Sequence, residues 1–310
     1  MTTVIAGSTG LVGSALTSAF KSAGHDVLEI NRSVVNLLDL TATKAFIKKV
    51  RPNIIVDAAA KVGGIGANNS KPVEFLADNI RIQSNLMEAA HESEVEKFVF
   101  LGSSCIYPRD CPQPIKEEFL MTGPLESTNS AYAIAKIAGI ELVNSYRKEF
   151  GSRWISLMPT NLYGQRDNFD YDTAHVLPAL IRRFIEAVEL GRREVTLWGS
   201  GSSRREFLHV DDLAKAVLLT SSSYDSTMHL NIGTGKDITI KELASMIAGL
   251  AGFKGQIMWD TSRLDGTPRK VLDVSRIKAL GWESTITLEQ GIASTISWYK
   301  GASARGEVRK

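Results

Sequence analysis

The sequence predicts an α/β fold: a Rossmann-type doubly wound parallel sheet with a smaller C-terminal α/β lobe. Three observations predict it. The first half alternates short apolar runs with amphipathic stretches joined by short connections, the pattern of parallel strands covered by helices on both faces. The first apolar run, 1–6, leads into Gly7-Ser-Thr-Gly10-Leu-Val-Gly13 and then a helical pattern. In that setting glycines permit a tight turn, close approach of the backbone to a pyrophosphate and close helix packing. Tyr132 and Lys136 stand four residues apart in a later helical stretch, so both project from one face.

Along the chain, Asp26–Ile30 reads as the second strand, 41–50 as a helix and 53–57 as the third strand, ending in Ala58-Ala59-Ala60. A long helix is expected at 73–93, a strand at Lys97–Leu101 that delivers Ser103, and a helix at Ser130–Phe150 that carries Tyr132 and Lys136. Ligands of such sheets lie beyond the carboxyl ends of the strands, where Gly7, Asn31 and Ser103 fall. The second half is less regular. It reads as a strand at 154–158, a loop at 159–164 on the cleft rim, and a helix at 174–190 with His175 near its start and Arg182 and Arg183 midway. A short strand follows at 195–198, Arg205 to Asp212 leads into another helix, and the remainder reads as strand, helix, strand and two helices, with 265–270 as a loop. The expected division is a dinucleotide domain over 1–165 with later segments returning to it, a substrate lobe over 166–300 and a frayed tail at 301–310.

With 310 residues, 44% of them hydrophobic, the chain has enough apolar surface for a large core. Its 36 basic and 34 acidic residues give a net charge of +2, too weak a field to argue for nucleic acid or an anionic membrane. No apolar run approaches the roughly 20 residues needed to span a bilayer. The two cysteines and the absence of a signal-like start point to a reducing cytoplasm. No Cys/His spacing suggests a metal.

The Tyr132–Lys136 spacing has a chemical reading. A phenol with a reference pKa of about 10 is a poor acid at neutral pH, and a fixed ammonium beside it favours the phenolate. Proton exchange with a substrate oxygen becomes easier, as carbonyl reduction requires, and Ser103 supplies a second hydrogen bond to the same oxygen. After the second strand stands Asn31-Arg32 rather than an acidic residue. An acid would bond ribose hydroxyls, whereas an arginine accommodates a 2′-phosphate, so NADP is the expected cofactor. Asp39 and Leu40 lie where they reach the adenine.

Several segments together carry a family resemblance: AAAKVGGI (58–65), LGSSCIYP (101–108), YAIAKIAG (132–139), MPTNLYG (158–164), HVLPALIRRF (175–184), WGSGSSRREFLHVDD (198–212) and DGTPRK (265–270). The chain resembles the extended short-chain dehydrogenase/reductase superfamily and, within it, the GDP-4-keto-6-deoxy-D-mannose 3,5-epimerase/4-reductase family, over about 4–299. The resemblance implies an NADPH-dependent enzyme that inverts C3 and C5 and then reduces the C4 ketone, forming GDP-L-fucose. It implies that Ser103, Tyr132 and Lys136 are the reductase triad, and that Cys105 and His175 handle the epimerisation protons. Arg183, Trp198, Arg205 and Asp265 then line the nucleotide-sugar site. For the cofactor it implies Gly7, Thr9, Gly10, Leu11, Val12 and Gly13 at the phosphates and Arg32 at the 2′-phosphate. Pro159, Thr160, Asn161 and Leu162 would border the nicotinamide, with Ala58, Ala59, Leu101, Lys136 and His175 completing the site. Bacterial relatives often carry an arginine in the glycine loop where Thr9 stands, which leaves more of the phosphate affinity to Arg32. A homodimer through a four-helix interface is also implied.

Each residue has a plainer alternative. Cys105 reads equally as a small buried hydrophobe, His175 as a helix-start residue bonded to backbone, Arg183 and Arg205 as solvated surface and Trp198 as core. His209 reads as structural, ahead of a helix cap at Asp211 or Asp212. Cys111 has no assignable role, and His25, His91 and His229 read as surface or packing residues. A non-catalytic NADP sensor would not need Ser103, Tyr132 and Lys136 together, and a scaffold would not need Cys105, His175 and the arginines. The nearest enzymatic alternative is the same chemistry on a related GDP-linked keto sugar.

Overall fold

In the computed structural model, residues 1–262 and 267–308 are described. The central sheet is built by β1 (Thr2–Ala6), β2 (Asp26–Ile30), β3 (Ile54–Asp57), β4 (Lys97–Leu101), β5 (Ile155–Pro159) and, after an excursion through β6 (Asn161–Tyr163), β7 (Glu194–Trp198) and β8 (Arg204–His209), by β9 (Leu230–Ile232). Its order is β2-β1-β3-β4-β5-β9, with every pair parallel. The chain leaves β1 to one side for β2 and to the other for β3, so the strand order reverses between β1 and β3. The carboxyl ends of these two strands flank a crevice there.

Helices α1 (Leu11–Ser22), α2 (Leu40–Val50), α3 (Ile65–Ser70), α4 (Pro72–Glu92), α5 (Ser130–Phe150), α6 (Val176–Glu189) and α7 (Val210–Ser223) follow in chain order. The strands β3 and β4 are buried along their whole length, as expected of a parallel sheet covered on both faces. Phe98, Phe100, Ile55 and Val56 are fully buried there, and each buried large apolar side chain contributes roughly 1.5–3 kcal/mol. The first apolar cluster also takes in Leu213 and Val217 of α7 and the later residues Leu272, Val274, Ile277 and Trp282.

A second apolar cluster joins Tyr163, Phe169, Leu177, Ile181 and Phe184 to residues of α8 (Ile240–Ala251) and α10 (Leu288–Ala304). The strands beside it form two small sheets: in one β8 pairs with β6, with β10 (Asp237–Thr239) and with β12 (Arg269–Lys270), and in the other β7 pairs with β11 (Gln256–Asp260). A short helix, α9 (Ser275–Ala279), precedes α10. Capping boxes at Thr239/Glu242 and Thr287/Gln290 start α8 and α10, each satisfying two backbone donors that a helix start leaves free.

Three expectations change. Residues 159–164, read as a loop, contain β6, whose register places Asn161 opposite Phe207. The tail expected to fray at 301 is helical to Ala304, and Ala302 within it is fully buried. The cap of α7 is His209 itself, whose ring nitrogen accepts from the Asp211 N–H at 3.3 Å. Asp212 instead is buried, accepting from the Thr285 and Ile286 backbone and from Lys215.

Candidate active site

Every strand end along the crevice delivers a residue of interest. Gly7 follows β1, Arg32 follows β2, Ala58 follows β3, Ser103 follows β4, and Thr160 and Asn161 follow β5. Gly7 has φ +78°, and a Cβ there would lie 2.7 Å from the Ala58 carbonyl oxygen. A Cβ on Gly13 would lie 2.1 Å from the Gly7 carbonyl oxygen, so α1 seats against the turn only with glycine at that position. Gly10 is different: a Cβ would meet only Gly7 O at 3.5 Å, leaving its outer side open. Gly10 caps α1 without a side-chain bond, so the N–H groups of Leu11, Val12 and Gly13 stand at the positive end of the helix. This cradle fits the diphosphate of a dinucleotide. Thr9 and Arg32 are exposed beside it, and Ala58 and Ala59 form its floor at the end of β3.

Asp39 caps α2, its carboxylate accepting from the Ala42 N–H at 3.0 Å, and remains exposed; Leu40 is half-buried as the first residue of the helix.

Ser103 caps a 3₁₀ turn at Ser104–Ile106, its hydroxyl oxygen accepting from the Cys105 N–H at 3.2 Å. The turn follows β4 directly, so one backbone reversal presents both Ser103 and Cys105. Tyr132 lies in the first turn of α5, beside Ser103 and braced edge-on by the Phe75 ring of α4 at 6.4 Å. The Lys136 ammonium, 3% exposed as a residue, donates to the Leu101 carbonyl at 2.8 Å and lies 5.9 Å from the Tyr132 ring centre. Gly139, one turn on, allows α5 to sit on β4: a Cβ there would be 2.3 Å from the Phe100 ring.

One electrostatic expectation is reversed. Tyr132 has its pKa raised, first by burial, then by Cys105; the Ser103 side chain opposes this, and Asp57 adds to the rise. The ammonium is held at the Leu101 carbonyl, beside the ring rather than at the hydroxyl, so desolvation decides the direction.

Cys105 has two polar neighbours that sequence reading missed. Asn129 Nδ2 donates to its sulfur at 3.4 Å and Lys270 Nζ at 3.6 Å. Lys270 belongs to β12 and pairs in parallel register with Arg205 of β8, so their side chains share a face and Arg205 comes to the same site. The only sequence signal for Lys270 is membership of the DGTPRK segment. Asp265 of that segment lies outside the described residues.

His175 caps α6 without a side-chain cap bond. Just before it, the Thr173 carbonyl accepts from the Gly64 N–H at 2.9 Å, which ties the start of α6 to the segment leaving β3. Its residue is exposed overall, yet the protein around the ring lowers its pKa through desolvation. Arg183 is further along α6 and donates to the Thr196 carbonyl of β7 at 2.9 Å. Trp198, at the carboxyl end of β7, is 69% exposed, which removes the reading as a core residue. Leu162 is half-buried on β6, and Asn161 Nδ2 donates to the Glu206 carbonyl at 2.8 Å. A surface hollow lined by Asn144, Arg147, Arg153 and Asp225 lies at the opposite end of the strands and contains none of these residues. Among the described residues no group of three or more His, Cys, Asp or Glu side chains could hold a metal, and no helix is long and apolar enough to cross a membrane.

A dinucleotide cradle at the switch point, with a Ser–Tyr–Lys group two strands away, is the arrangement of the NAD dependent epimerase/dehydratase family; the chain belongs to that family, which matches residues 3–233. Within it, putative GDP-L-fucose synthase 2 of Arabidopsis thaliana is 49% identical over 296 residues, covering 95% of this chain and 90% of that one. GDP-L-fucose synthase of Escherichia coli (strain K12) is 48% identical over 305 residues, covering 95% of each. Among solved structures, a GDP-L-fucose synthetase from Naegleria fowleri bound to NADP matches with a TM-score of 0.92 at 28% identity, covering 100% of this chain and 96% of that one. The resemblance read from the motifs is borne out.

Proposed function

We propose that this chain converts GDP-4-keto-6-deoxy-D-mannose to GDP-L-fucose, inverting C3 and C5 and then reducing the C4 ketone with NADPH. The observation that carries the reading is the placement of Cys105, with Lys270 and Asn129 on its sulfur, on the same turn as Ser103. A plain reductase has no use for a supported thiol beside its oxygen-binding pair.

A ketone at C4 acidifies the hydrogens at both C3 and C5, because either carbanion is delocalised onto the same oxygen. Ser103 and Tyr132 hold that oxygen and stabilise the charge that develops on it. Cys105 and His175 serve as the proton-removing and proton-returning groups, one on each face of the sugar, and Lys270 gives the sulfur a charged donor while it carries negative charge. The glycine cradle, Arg32 and Pro159 to Leu162 would hold NADPH, which when bound would supply the hydride for C4. Tyr132 then gives its proton to O4. Its raised pKa keeps the hydroxyl protonated until that step. Lys136 supports Tyr132 from the ring side, and Arg183, Arg205, Trp198 and Asp265 are assigned to the nucleotide sugar, the guanidiniums suiting a diphosphate through their forked donors.

The assignment extends to a homodimer. Val73 and Ile80 on α4 and Ile134 on α5 are exposed at 76%, 37% and 48%, an apolar face that a second copy would cover. Both cysteines are free thiols, which suits a reducing cytoplasm.

The roles separate by exchange. In D2O with the keto sugar, Cys105→Ser is expected to abolish deuterium uptake at C3 and C5 while NADPH still binds. Tyr132→Phe is expected to lose reduction by roughly 10²–10⁴-fold while exchange persists. Normal exchange at both carbons in Cys105→Ser would make Cys105 a packing residue.

A further inference from the structure

We infer that Asp57 is a positioning residue for the reductase group: its buried carboxylate at the end of β3 holds the Lys136 ammonium charged inside the protein. The inference rests on the reading of Ser103, Tyr132 and Lys136 as that group, and is independent of which sugar is reduced.

The geometry comes from strand register. Asp57 is the register partner of Phe100 on β4, and partners on adjacent strands point to the same sheet face. The Lys136 ammonium sits on that face, 4.8 Å from the centre of the Phe100 ring. Carboxylate and ammonium therefore lie on one face of the sheet, one from β3 and one from α5, and their charges interact. Asp57 is 0% exposed. One of its oxygens accepts from the Ala59 N–H at 3.1 Å, and the other, Oδ2, has no hydrogen-bond partner among the described residues. A carboxylate so placed is costly unless a nearby charge compensates it.

Lys136 is the compensating cation. The other titratable group of α5 that interacts with Asp57 is Tyr132, which in turn interacts with Cys105 on the turn after β4. The buried residues of α4 are uncharged, with Asn79 and Gln83 as its polar members, and β1 carries no charged side chain. Burial pushes Asp57 up to about 6 and pulls Lys136 down to about 8, and in each case the partner's charge opposes the shift. Both groups are thus charged between pH about 6 and about 8. With the carboxylate removed, the charge that opposes desolvation is gone, so the sign is fixed: Lys136 releases its proton at lower pH.

The test reads that proton directly. Protein carrying lysine labelled with 13C at Cε is titrated by NMR, with the Lys136 signal identified by its loss in Lys136→Met. In Asp57→Asn and in Asp57→Leu, the Lys136 midpoint is expected to fall by about one pH unit or more, and the alkaline limb of kcat for NADPH-dependent reduction to move with it while KM stays within twofold. Unchanged midpoints would overturn the inference. If neither variant folds, 13Cγ-labelled aspartate decides the matter: the Asp57 midpoint must rise in Lys136→Met relative to the unmodified chain, and an unmoved midpoint overturns it. Absence of turnover on any nucleotide sugar by the unmodified chain would sink the functional reading and leave both titrations standing.

Discussion

Lys270 reaches the Cys105 sulfur from more than 160 positions away in the chain, as the structure's separation of 165 records. If its ammonium supports the sulfur during proton removal, Lys270→Met should slow deuterium exchange at C3 and C5 by roughly tenfold to a hundredfold, the worth of a hydrogen bond to a charged group. NADPH affinity should stay unchanged; equal exchange rates would contradict the role. Arg32 has a separate test. Arg32→Ala should reduce the preference for NADPH over NADH by a similar factor, on the order of 1.5–3 kcal/mol, measured as the ratio of kcat/KM values. Equal use of both cofactors by the unmodified chain would refute the assignment. The grouping of Ser103, Tyr132 and Lys136 in space was legible because local spacing and a preceding strand carry it. Lys270 was not, since only the pairing of β12 with β8 brings it to the site. Asp57 read merely as a strand's last residue, because its neighbour on α5 is set by packing and not by sequence distance. The raised pKa of Tyr132 was likewise out of reach: spacing shows which side chains share a face, and burial decides the sign.

At the scale of elements, α5 matters most, because its seat on β4 positions Tyr132 and Lys136 together. Gly139→Ala would drive a methyl into the Phe100 ring, with an expected loss of roughly 1–3 kcal/mol from overpacking. Urea denaturation would show the lowered midpoint, and kcat should drop with it as the helix shifts. Gly249, inside α8, is the contrast. A Cβ there meets nothing within 4 Å, so Gly249→Ala should stabilise by about 0.4–1 kcal/mol. Equal effects at the two sites would count against the packing account. The elements of the first half were legible because β-strand and helix periodicities alternate there without interruption: Asp26–Ile30, Lys97–Leu101 and Ser130–Phe150 begin and end where the sequence places them. The second half was less so. β6 is three residues long and is defined by a partner in β8, a signal that no local pattern contains.

For the whole molecule, the exposed apolar residues of α4 and α5 predict two copies of the 33.8 kDa chain in one particle. Light scattering at micromolar concentration should give about twice the chain mass, and Ile134→Glu should lower it by placing a charge in the covered face; a monomeric mass for the unmodified protein would contradict the interface. The central claim, that one carbonyl-binding site serves two inversions and a reduction, is tested most directly by a single product analysis. GDP-4-keto-6-deoxy-D-mannose and NADPH are supplied in D2O and the product is read by NMR. The account predicts GDP-L-fucose with deuterium at C3 and C5 and protium, delivered from NADPH, at C4. A 4-hydroxy product that keeps the manno configuration at C3 and C5 with protium at both would contradict it.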